Sequence, residues 1–161
     1  MTPDDKAVPS CGICAVIDRI KAHNFRDFIA ELDSCYVILG DQQYYRGYCV
    51  LFAKIHATEL YLMPPDTART LFDEMRLCAE AIAEVVKPWK MNYECLGNSE
   101  PHVHWHLLPR YENDELRHVP VWLRPGDERR VPLDDNDRIA LVGSIRHQIA
   151  LRFPDARVPP T

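Results

Sequence analysis

Three histidines, His102, His104 and His106, alternate with apolar residues in the segment 102–108. Successive side chains of a strand point to opposite faces, so the three imidazoles share one face and the apolar residues share the other. Each neutral ring needs both a hydrogen-bond donor and an acceptor, which favours a metal ion or a polar substrate on this face. The simpler alternatives are a tag, an exposed strand face or an adventitious metal site, but a tag is seldom interleaved with apolar residues at period two. The pattern alone leaves metal ligation and nucleophilic catalysis open, because neutral imidazole serves both.

A second chemical motif is the C-x-x-C pair Cys11 and Cys14. This spacing brings two thiolates close enough to bind one tetrahedral zinc ion, but two ligands do not complete a site, and redox chemistry uses the same spacing. Taken alone, the pair leaves zinc binding, redox function and no role open. The other four cysteines lie singly in apolar surroundings and are predicted to be small buried hydrophobes: Cys35, Cys49, Cys78 and Cys95.

The length of 161 residues predicts a single domain with a substantial core. A net charge of −5 argues against a broad nucleic-acid-binding surface, so a phosphate ligand must be held locally. The N-terminus has no basic segment leading into an apolar run, and no stretch approaches the roughly 18 apolar residues of a membrane helix. We therefore expect a cytoplasmic protein with reduced cysteines and with neither a membrane nor a nucleic-acid polymer as partner.

Apolar alternation and apolar runs predict the strands that position the histidines. Residues 28–32 and 36–39 are predicted to form a hairpin with its turn at 33–34, followed by a loop at 40–43. Residues 48–53 form an apolar run too continuous for an edge strand with a wet face. Residues 91–96 are predicted to pair with the histidine strand across a turn at 97–101.

Two helices are predicted from start and stop signals. The first begins near Pro64 and Pro65 with Asp66 or Thr67 as its cap, ends at Lys87-Pro88, and buries a stripe made of Leu71, Met75, Cys78, Ile82 and Val85. The second runs from Asp134 or Asp135 to about Leu151, with Ile139, Val142, Ile145 and Ile149 on one face. Residues 1–10 are expected to be a loose arm, and residues 111–132 a charged, proline-rich surface tail anchored by aromatics such as Trp122. Together the elements predict an α+β domain with a mostly antiparallel sheet.

The order His-apolar-His-apolar-His-apolar-apolar, followed by Pro109-Arg110, resembles the signature of the histidine-triad (HIT) superfamily of nucleotide hydrolases and transferases. The resemblance runs from about Cys11 to Arg110 and leaves residues 111–161 as a C-terminal extension of one domain, 1–161. It implies a HIT-like five-stranded antiparallel sheet with one long packed helix. It also implies a homodimer in which two sheets become one.

The resemblance implies catalysis by the triad His102, His104 and His106. His104 would attack an α-phosphorus through Nε2 and form a nucleotidyl-histidine that water then hydrolyses. A backbone carbonyl that accepts from its Nδ1 would fix the required tautomer. His106 would contact the phosphoryl group or the leaving group, with Asn98 and Ser99 in the preceding turn.

Other positions match family sites for substrate binding. Asp41 corresponds to a ribose-binding position and Asn92 to a substrate-side asparagine, although a strand-end hydrogen bond is the alternative for Asn92 and a plain turn residue the alternative for Ser99. The spacing from Asp41 to Gly47 is one residue shorter than the usual pattern, and Tyr48 stands where many members have a histidine. These departures bear on the nucleoside pocket more than on the chemistry. Arg46 or Arg110 is a candidate for a distal phosphate, with an exposed arginine as the default.

Zinc-containing branches of the superfamily use a C-x-x-C pair, a histidine after the third strand and the first histidine of the triad. The corresponding residues here are Cys11, Cys14, His56 and His102. A Cys2His2 zinc has no vacant ligand position, so the resemblance implies a structural cofactor. The function implied is hydrolysis of dinucleoside polyphosphates or nucleoside phosphoramidates. The alternatives are a nucleotidyl transferase and a nucleotide-sensing module with vestigial catalysis.

Overall fold

Five antiparallel strands form one sheet in the order β1-β2-β3-β5-β4 in a computed structural model that describes residues 11–159. The predicted arm at 1–10 lies outside the described residues. The strands are β1 (Phe28–Glu31), β2 (Cys35–Leu39), β3 (Cys49–Ala53), β4 (Lys90–Glu94) and β5 (His104–Arg110). The predicted hairpin, its turn and the central place of the third strand are confirmed. The fold is α+β, as predicted.

One face of the sheet is covered by two long helices, α2 (Pro65–Val86) and α4 (Asp135–Arg152). The predicted stripe on α2 is confirmed, because its first four members are buried and Val85 packs against them. The predicted cap is wrong: Pro64 holds the cap position without a side-chain hydrogen bond, and Asp66 lies inside the first turn. The helix ends at Lys87, whose left-handed conformation (φ 47°) precedes Pro88.

Helix α4 begins as predicted, with the Asp134 side chain accepting a hydrogen bond from the Asp137 amide. Its predicted apolar face is partly wrong, because Ile139 is 70% exposed and Arg138 is buried in its vicinity instead. The Arg138 guanidinium pairs with Asp27 at 3.2 Å across the molecule. This turn of the helix therefore has Arg138, and not Ile139, on its buried side.

The opposite face of the sheet carries the histidines and is covered from two sides. On one side lies a third helix, α1 (Gly12–Lys21), where the sequence suggested only a C-x-x-C loop. Its Ile13, Ile17 and Ile20 pack against aromatic residues of β2 and β3, and the Cys11 side chain caps its first turn by accepting from the Cys14 amide. The helix was missed because cysteine is not among the usual capping residues.

On the other side, residues 111–134 fold back over the sheet as an ordered segment with a short helix α3 (Gly126–Arg129). The prediction of a surface tail is wrong for this reason. Arg110 is fully buried and its five N–H groups donate to Asp114, Asn92 and the carbonyls of residues 116 and 119. Asp114 also pairs with Arg124 at 3.0 Å. Although burial opposes it, hydrogen bonds from Arg110 and Arg124 lower the pKa of Asp114, so a paired carboxylate anchors the segment.

Candidate active site and metal site

His104 and His106 lie on β5 between α1 and the 111–134 segment. Their register is fixed by pairing with β3, where Phe52 lies opposite His104 and Val50 lies opposite His106. The intervening Trp105 and Leu107 belong to the core on the other face of the sheet. The alternation read from the sequence thus holds for these two histidines. His102 lies two residues before the strand begins.

His104 is held in one tautomer by the backbone. Its Nδ1 lies 2.6 Å from the carbonyl oxygen of His102 and can only donate to that acceptor. The neutral ring therefore keeps its lone pair on Nε2. Sequence reasoning predicted such a carbonyl without naming it, and the carbonyl belongs to the first histidine of the triad.

His106 is held by Tyr48, the residue that departs from the family pattern. The Tyr48 hydroxyl lies 2.7 Å from His106 Nδ1, and His106 Nε2 lies 3.1 Å from His104 Nε2. Since His104 Nε2 carries a lone pair, the facing Nε2 of His106 must carry the hydrogen, and its Nδ1 must accept from Tyr48. A chain of donors thus runs from Tyr48 through His106 to His104. Tyr48 therefore contacts the triad itself. The expectation that this departure bears on the nucleoside pocket more than on the chemistry is incomplete.

Burial favours the neutral forms of His106 and Tyr48. Desolvation lowers the pKa of His106 to about 4, with the positive charges of a protonated His104 and of Arg129 as smaller causes. Burial also raises the pKa of Tyr48, so its hydroxyl remains a donor. With both rings neutral, the pair presents one N–H group and one lone pair toward the space between the two rings.

The 111–134 segment adds Trp122 to the site. The Trp122 ring lies 5.1 Å from the His106 ring, edge to face, and its Nε1 donates a hydrogen bond to Glu94. The guanidinium of Arg129 lies over the same indole, 4.6 Å from the ring centre. Sequence reasoning noted Trp122 only as an anchor and did not single out Arg129 or Glu94. These three residues share no local sequence motif. They come together only because residues 111–134 fold back over the sheet.

Four predicted metal ligands converge beside α1. The ligand atoms of Cys11, Cys14, His56 and His102 all lie within 4.8 Å of one another. His102 Nδ1 is 3.6 Å from each sulfur, and Cys14 Sγ is 3.4 Å from His56 Nδ1. Zinc bonds of about 2.3 Å to sulfur and about 2.0 Å to nitrogen give tetrahedral edges of roughly 3.6 Å, so the residues fit the ion.

The hydrogen bonding of His102 also fits metal ligation. Its Nε2 lies 2.8 Å from the carbonyl of Ala53, which accepts a hydrogen bond and leaves the Nδ1 lone pair aimed at the sulfurs. Burial and the adjacent Cys11 thiol raise the pKa of Cys14 to about 11. A dication between the ligands would reverse that effect and stabilise both thiolates. The His102 ring makes no hydrogen bond with His104 or His106 in the part of the chain that the structure describes.

The predicted substrate-side residues are spread around the site. Asp41 is exposed beside Tyr48, whose ring packs so closely on Gly40 that a Cβ there would lie 2.3 Å away, and the Asp41 carboxylate pairs with Arg130. Asn92 accepts from the buried Arg110 at 2.9 Å. Asn98 and Ser99 are exposed in the turn before His102, and no hydrogen bond within residues 11–159 joins either one to His104 or His106.

The two arginines considered for a distal phosphate are both engaged elsewhere. Arg46 pairs with Asp137 at 3.2 Å on the far side of the molecule, and the five N–H groups of Arg110 are all used. Neither residue has a donor directed at the triad. Cys35, Cys49 and Cys78 are fully buried, as predicted, and Cys95 is half-buried.

The fold and the triad together define a histidine-triad protein. A model of the HIT domain matches residues 21–113, which is more than half of the chain, and the chain belongs to this family. A search of curated protein sequences found no match. Among the described residues, no helix is both long and apolar enough to cross a membrane.

Solved structures share the fold at low sequence identity. A histidine triad protein from Marinobacter aquaeolei is 24% identical, with a TM-score of 0.69 over 83% of this chain and 94% of that chain. A hypothetical histidine triad nucleotide-binding protein from Sulfolobus tokodaii is 21% identical, with a TM-score of 0.67 over 86% and 93%. A zinc-bound histidine triad family protein from Mycobacterium smegmatis is 23% identical, with a TM-score of 0.65 over 89% and 95%.

Proposed function

We propose that the protein is a nucleotide hydrolase that acts at an α-phosphorus through a nucleotidyl intermediate on His104. The observation that carries the proposal is the unprotonated Nε2 of His104 facing the Nε2–H of His106 at 3.1 Å. A nucleophile requires the first group, and a phosphoryl oxygen that gains charge requires the second. Family membership and the nucleotide-binding description of the Sulfolobus structure support a nucleotide as substrate.

The reaction proceeds in two displacements. The His104 Nε2 lone pair forms a bond to phosphorus as the bond to the leaving group breaks and the leaving group takes the electron pair. A polyphosphate leaves as its anion, whereas the nitrogen of a phosphoramidate also takes a proton from solvent and leaves as an amine. Water then forms a bond to phosphorus, the phosphorus–nitrogen bond breaks, and the lone pair returns to Nε2 as the water proton passes to solvent. In both steps the His106 N–H turns from His104 to a non-bridging oxygen.

Product analysis with a panel of dinucleoside polyphosphates and nucleoside phosphoramidates tests this proposal. A hydrolase gives a nucleoside monophosphate that carries one oxygen-18 atom when the reaction runs in labelled water. A nucleotidyl transferase, the second candidate, gives nucleoside diphosphate when inorganic phosphate is supplied. Nucleotide binding without any turnover would leave only a sensing role and would refute the enzymatic proposal.

We also propose that Cys11, Cys14, His56 and His102 bind one structural zinc ion. Their convergence and spacing support it, as does the zinc-bound state of the Mycobacterium structure. When bound, the ion would tie α1 to β5 and supply stability, because all four of its positions are filled by protein. The His102 backbone carbonyl that orients His104 belongs to the same residue, so the metal site and the active site share one anchor.

Tyr48→Phe should reduce kcat by about 10-fold, because the loss of one hydrogen bond of about 1.4 kcal/mol frees the His106 ring to change tautomer. Nitrogen-15 NMR of the ring provides the direct measurement. In the wild type we expect an unprotonated Nδ1 and a titration midpoint of about 4 for His106. The Tyr48→Phe variant should give a mixture of tautomers. A single unchanged tautomer with unchanged kcat would show that Tyr48 does not position the ring.

We propose a homodimer formed through β4. This strand is an edge of the described sheet, and the exposed apolar side chains of Tyr93 and Leu96 lie on it and just after it. On α2, the exposed Phe72 ring lies 6.4 Å from the ring of Trp105 in the neighbouring strand β5. A surface hollow beside Phe72 is lined by Trp105. The indole N–H of Trp105 has no acceptor within residues 11–159. Pairing of two β4 strands would complete the edge and cover this apolar surface.

Light scattering should therefore give a mass near twice 18.6 kDa. Phe72→Glu should shift the mass to that of the monomer, because it places a charge in the covered hollow. Leu151→Glu is the matched control, since Leu151 is similarly exposed but lies on α4, and it should remain dimeric. A wild-type mass of one chain at micromolar concentration would refute the dimer.

A further inference from the structure

Arg129 is placed at the active site by two contacts. Its backbone carbonyl accepts a hydrogen bond from the Tyr44 amide at 3.1 Å, which ties α3 to the loop before β3. Its guanidinium lies over the Trp122 indole, and that indole contacts the His106 ring. The positive charge is close enough to be one cause of the lowered pKa of His106. The side chain is therefore held against the same cluster of rings that surrounds the nucleophile.

The guanidinium of Arg129 has two unused donors. Its Nε and Nη1 are shielded from solvent, and neither has a hydrogen-bond partner within the described part of the chain. Arg124 has one such atom, its Nε, but its two terminal nitrogens pair with Asp114 and Glu128, and Arg130 pairs with Asp41. Shielded donors without acceptors cost free energy, so their presence beside a reactive centre needs a ligand to account for it.

No ion pair joins the Arg129 guanidinium to a carboxylate of the described residues. Glu94 accepts from Trp122, and Asp41 pairs with Arg130. In a chain with a net charge of −5, an unpaired planar guanidinium beside the triad is a local site for an anion. The arginines considered from the sequence, Arg46 and Arg110, are occupied elsewhere.

We propose that Arg129 binds the phosphate chain of the leaving group, so that the enzyme prefers substrates whose leaving group is a polyphosphate. This inference rests on the proposed function and narrows its substrate class to dinucleoside or nucleoside polyphosphates. The planar guanidinium donates two hydrogen bonds to phosphate oxygens that gain charge as the bond to the α-phosphorus breaks. A phosphoramidate substrate releases an amine, so its leaving group offers no anion to the Arg129 side chain.

The test compares kcat/KM for diadenosine tetraphosphate and adenosine phosphoramidate in the wild type, Arg129→Ala and Arg129→Lys. Arg129→Ala should lose about 100-fold on the tetraphosphate and less than about 3-fold on the phosphoramidate. Arg129→Lys should recover part of the loss, because the charge remains while the fork does not. Arg69→Ala is the charge-matched control on the opposite face of the sheet and should match the wild type on both substrates.

Three outcomes would overturn the assignment. Equal losses on both substrates would mean that Arg129 only supports Trp122 and His106. No loss on the tetraphosphate, or wild-type cleavage of the phosphoramidate alone, would remove the polyphosphate preference. If the wild type cleaves neither compound, the proposed function fails, and calorimetry with inorganic tripolyphosphate then tests Arg129 separately. Binding at least about 10-fold weaker in Arg129→Ala supports the anion site, and equal binding refutes it.

Discussion

Replacing His104 with alanine should reduce turnover by a factor on the order of 10⁴ or more while leaving the fold intact. The effect is large because His104 Nε2 supplies the lone pair that forms the bond to phosphorus once the His106 N–H turns away from it. The loss of the ring should affect stability modestly, because its Nδ1 bond goes to a backbone carbonyl and the sheet register is held by neighbouring residues. Steady-state rates together with a thermal melt measure both quantities.

The matched control is His147→Ala, which removes an exposed imidazole on α4 behind the sheet and should keep full activity. Mass spectrometry after an alkaline quench, which spares a phosphorus–nitrogen bond, should detect one nucleoside monophosphate on wild-type His104 and none on the variant. Normal hydrolysis by a folded His104→Ala protein would eliminate His104 as the nucleophile, whatever else the site contains.

The sequence predicted the elements whose pattern is local. Period-two alternation located the histidine strand, a continuous apolar run located the central strand β3, and helical spacing located α2. These signals depend only on which face of an element meets the core. The four metal ligands also converge as expected, although they come from three separate parts of the chain. That expectation came from family resemblance, since spacing alone left Cys11 and Cys14 open.

The sequence did not predict features that depend on distant partners. Ile139 was assigned to the core by its spacing, yet it is exposed, and the adjacent Arg138 is buried and pairs with Asp27. Residues 111–134 look like a tail because they are charged and rich in proline, but buried pairing of Arg110 with Asp114 stabilises their return to the sheet. A charged segment near the histidine strand can either face solvent or form a buried network of ion pairs. Only the three-dimensional contacts show which of the two occurs.

The active site shows the same division between local and distant information. The alternation placed His104 and His106 side by side, but the partner that fixes each tautomer was not readable. For His104 it is a carbonyl two residues away, and for His106 it is Tyr48, 58 residues earlier in the chain. A departure from the family pattern at Tyr48 was the available signal. That departure marked position 48 as important, but it did not show which histidine ring Tyr48 contacts.

Removal of zinc should lower thermal stability substantially. Zinc bound only by the folded protein at about 100 to 1,000 times its Kd adds about 3 to 4 kcal/mol, which corresponds to roughly 6–16 °C for a chain of this size. The purified protein should carry one zinc ion per chain. Cys14→Ala should lose the ion and this increment in melting temperature, because the three ligands that remain bind zinc weakly. Zinc content by mass spectrometry and melting with and without chelator measure the two effects.

Activity separates a structural from a catalytic metal. The ring of His102 points to Cys11 and Cys14 and away from the His104–His106 pair, so chelation should leave substantial hydrolysis below the new melting temperature. Cys78→Ala provides the control, since it removes a buried thiol on α2 outside the cluster and should keep the zinc. A metal held instead by His102, His104 and His106 would survive Cys14→Ala, and its chelation would abolish turnover. Protein that takes up no zinc when the ion is supplied would contradict both arrangements, because the four ligand atoms already lie within 4.8 Å of one another.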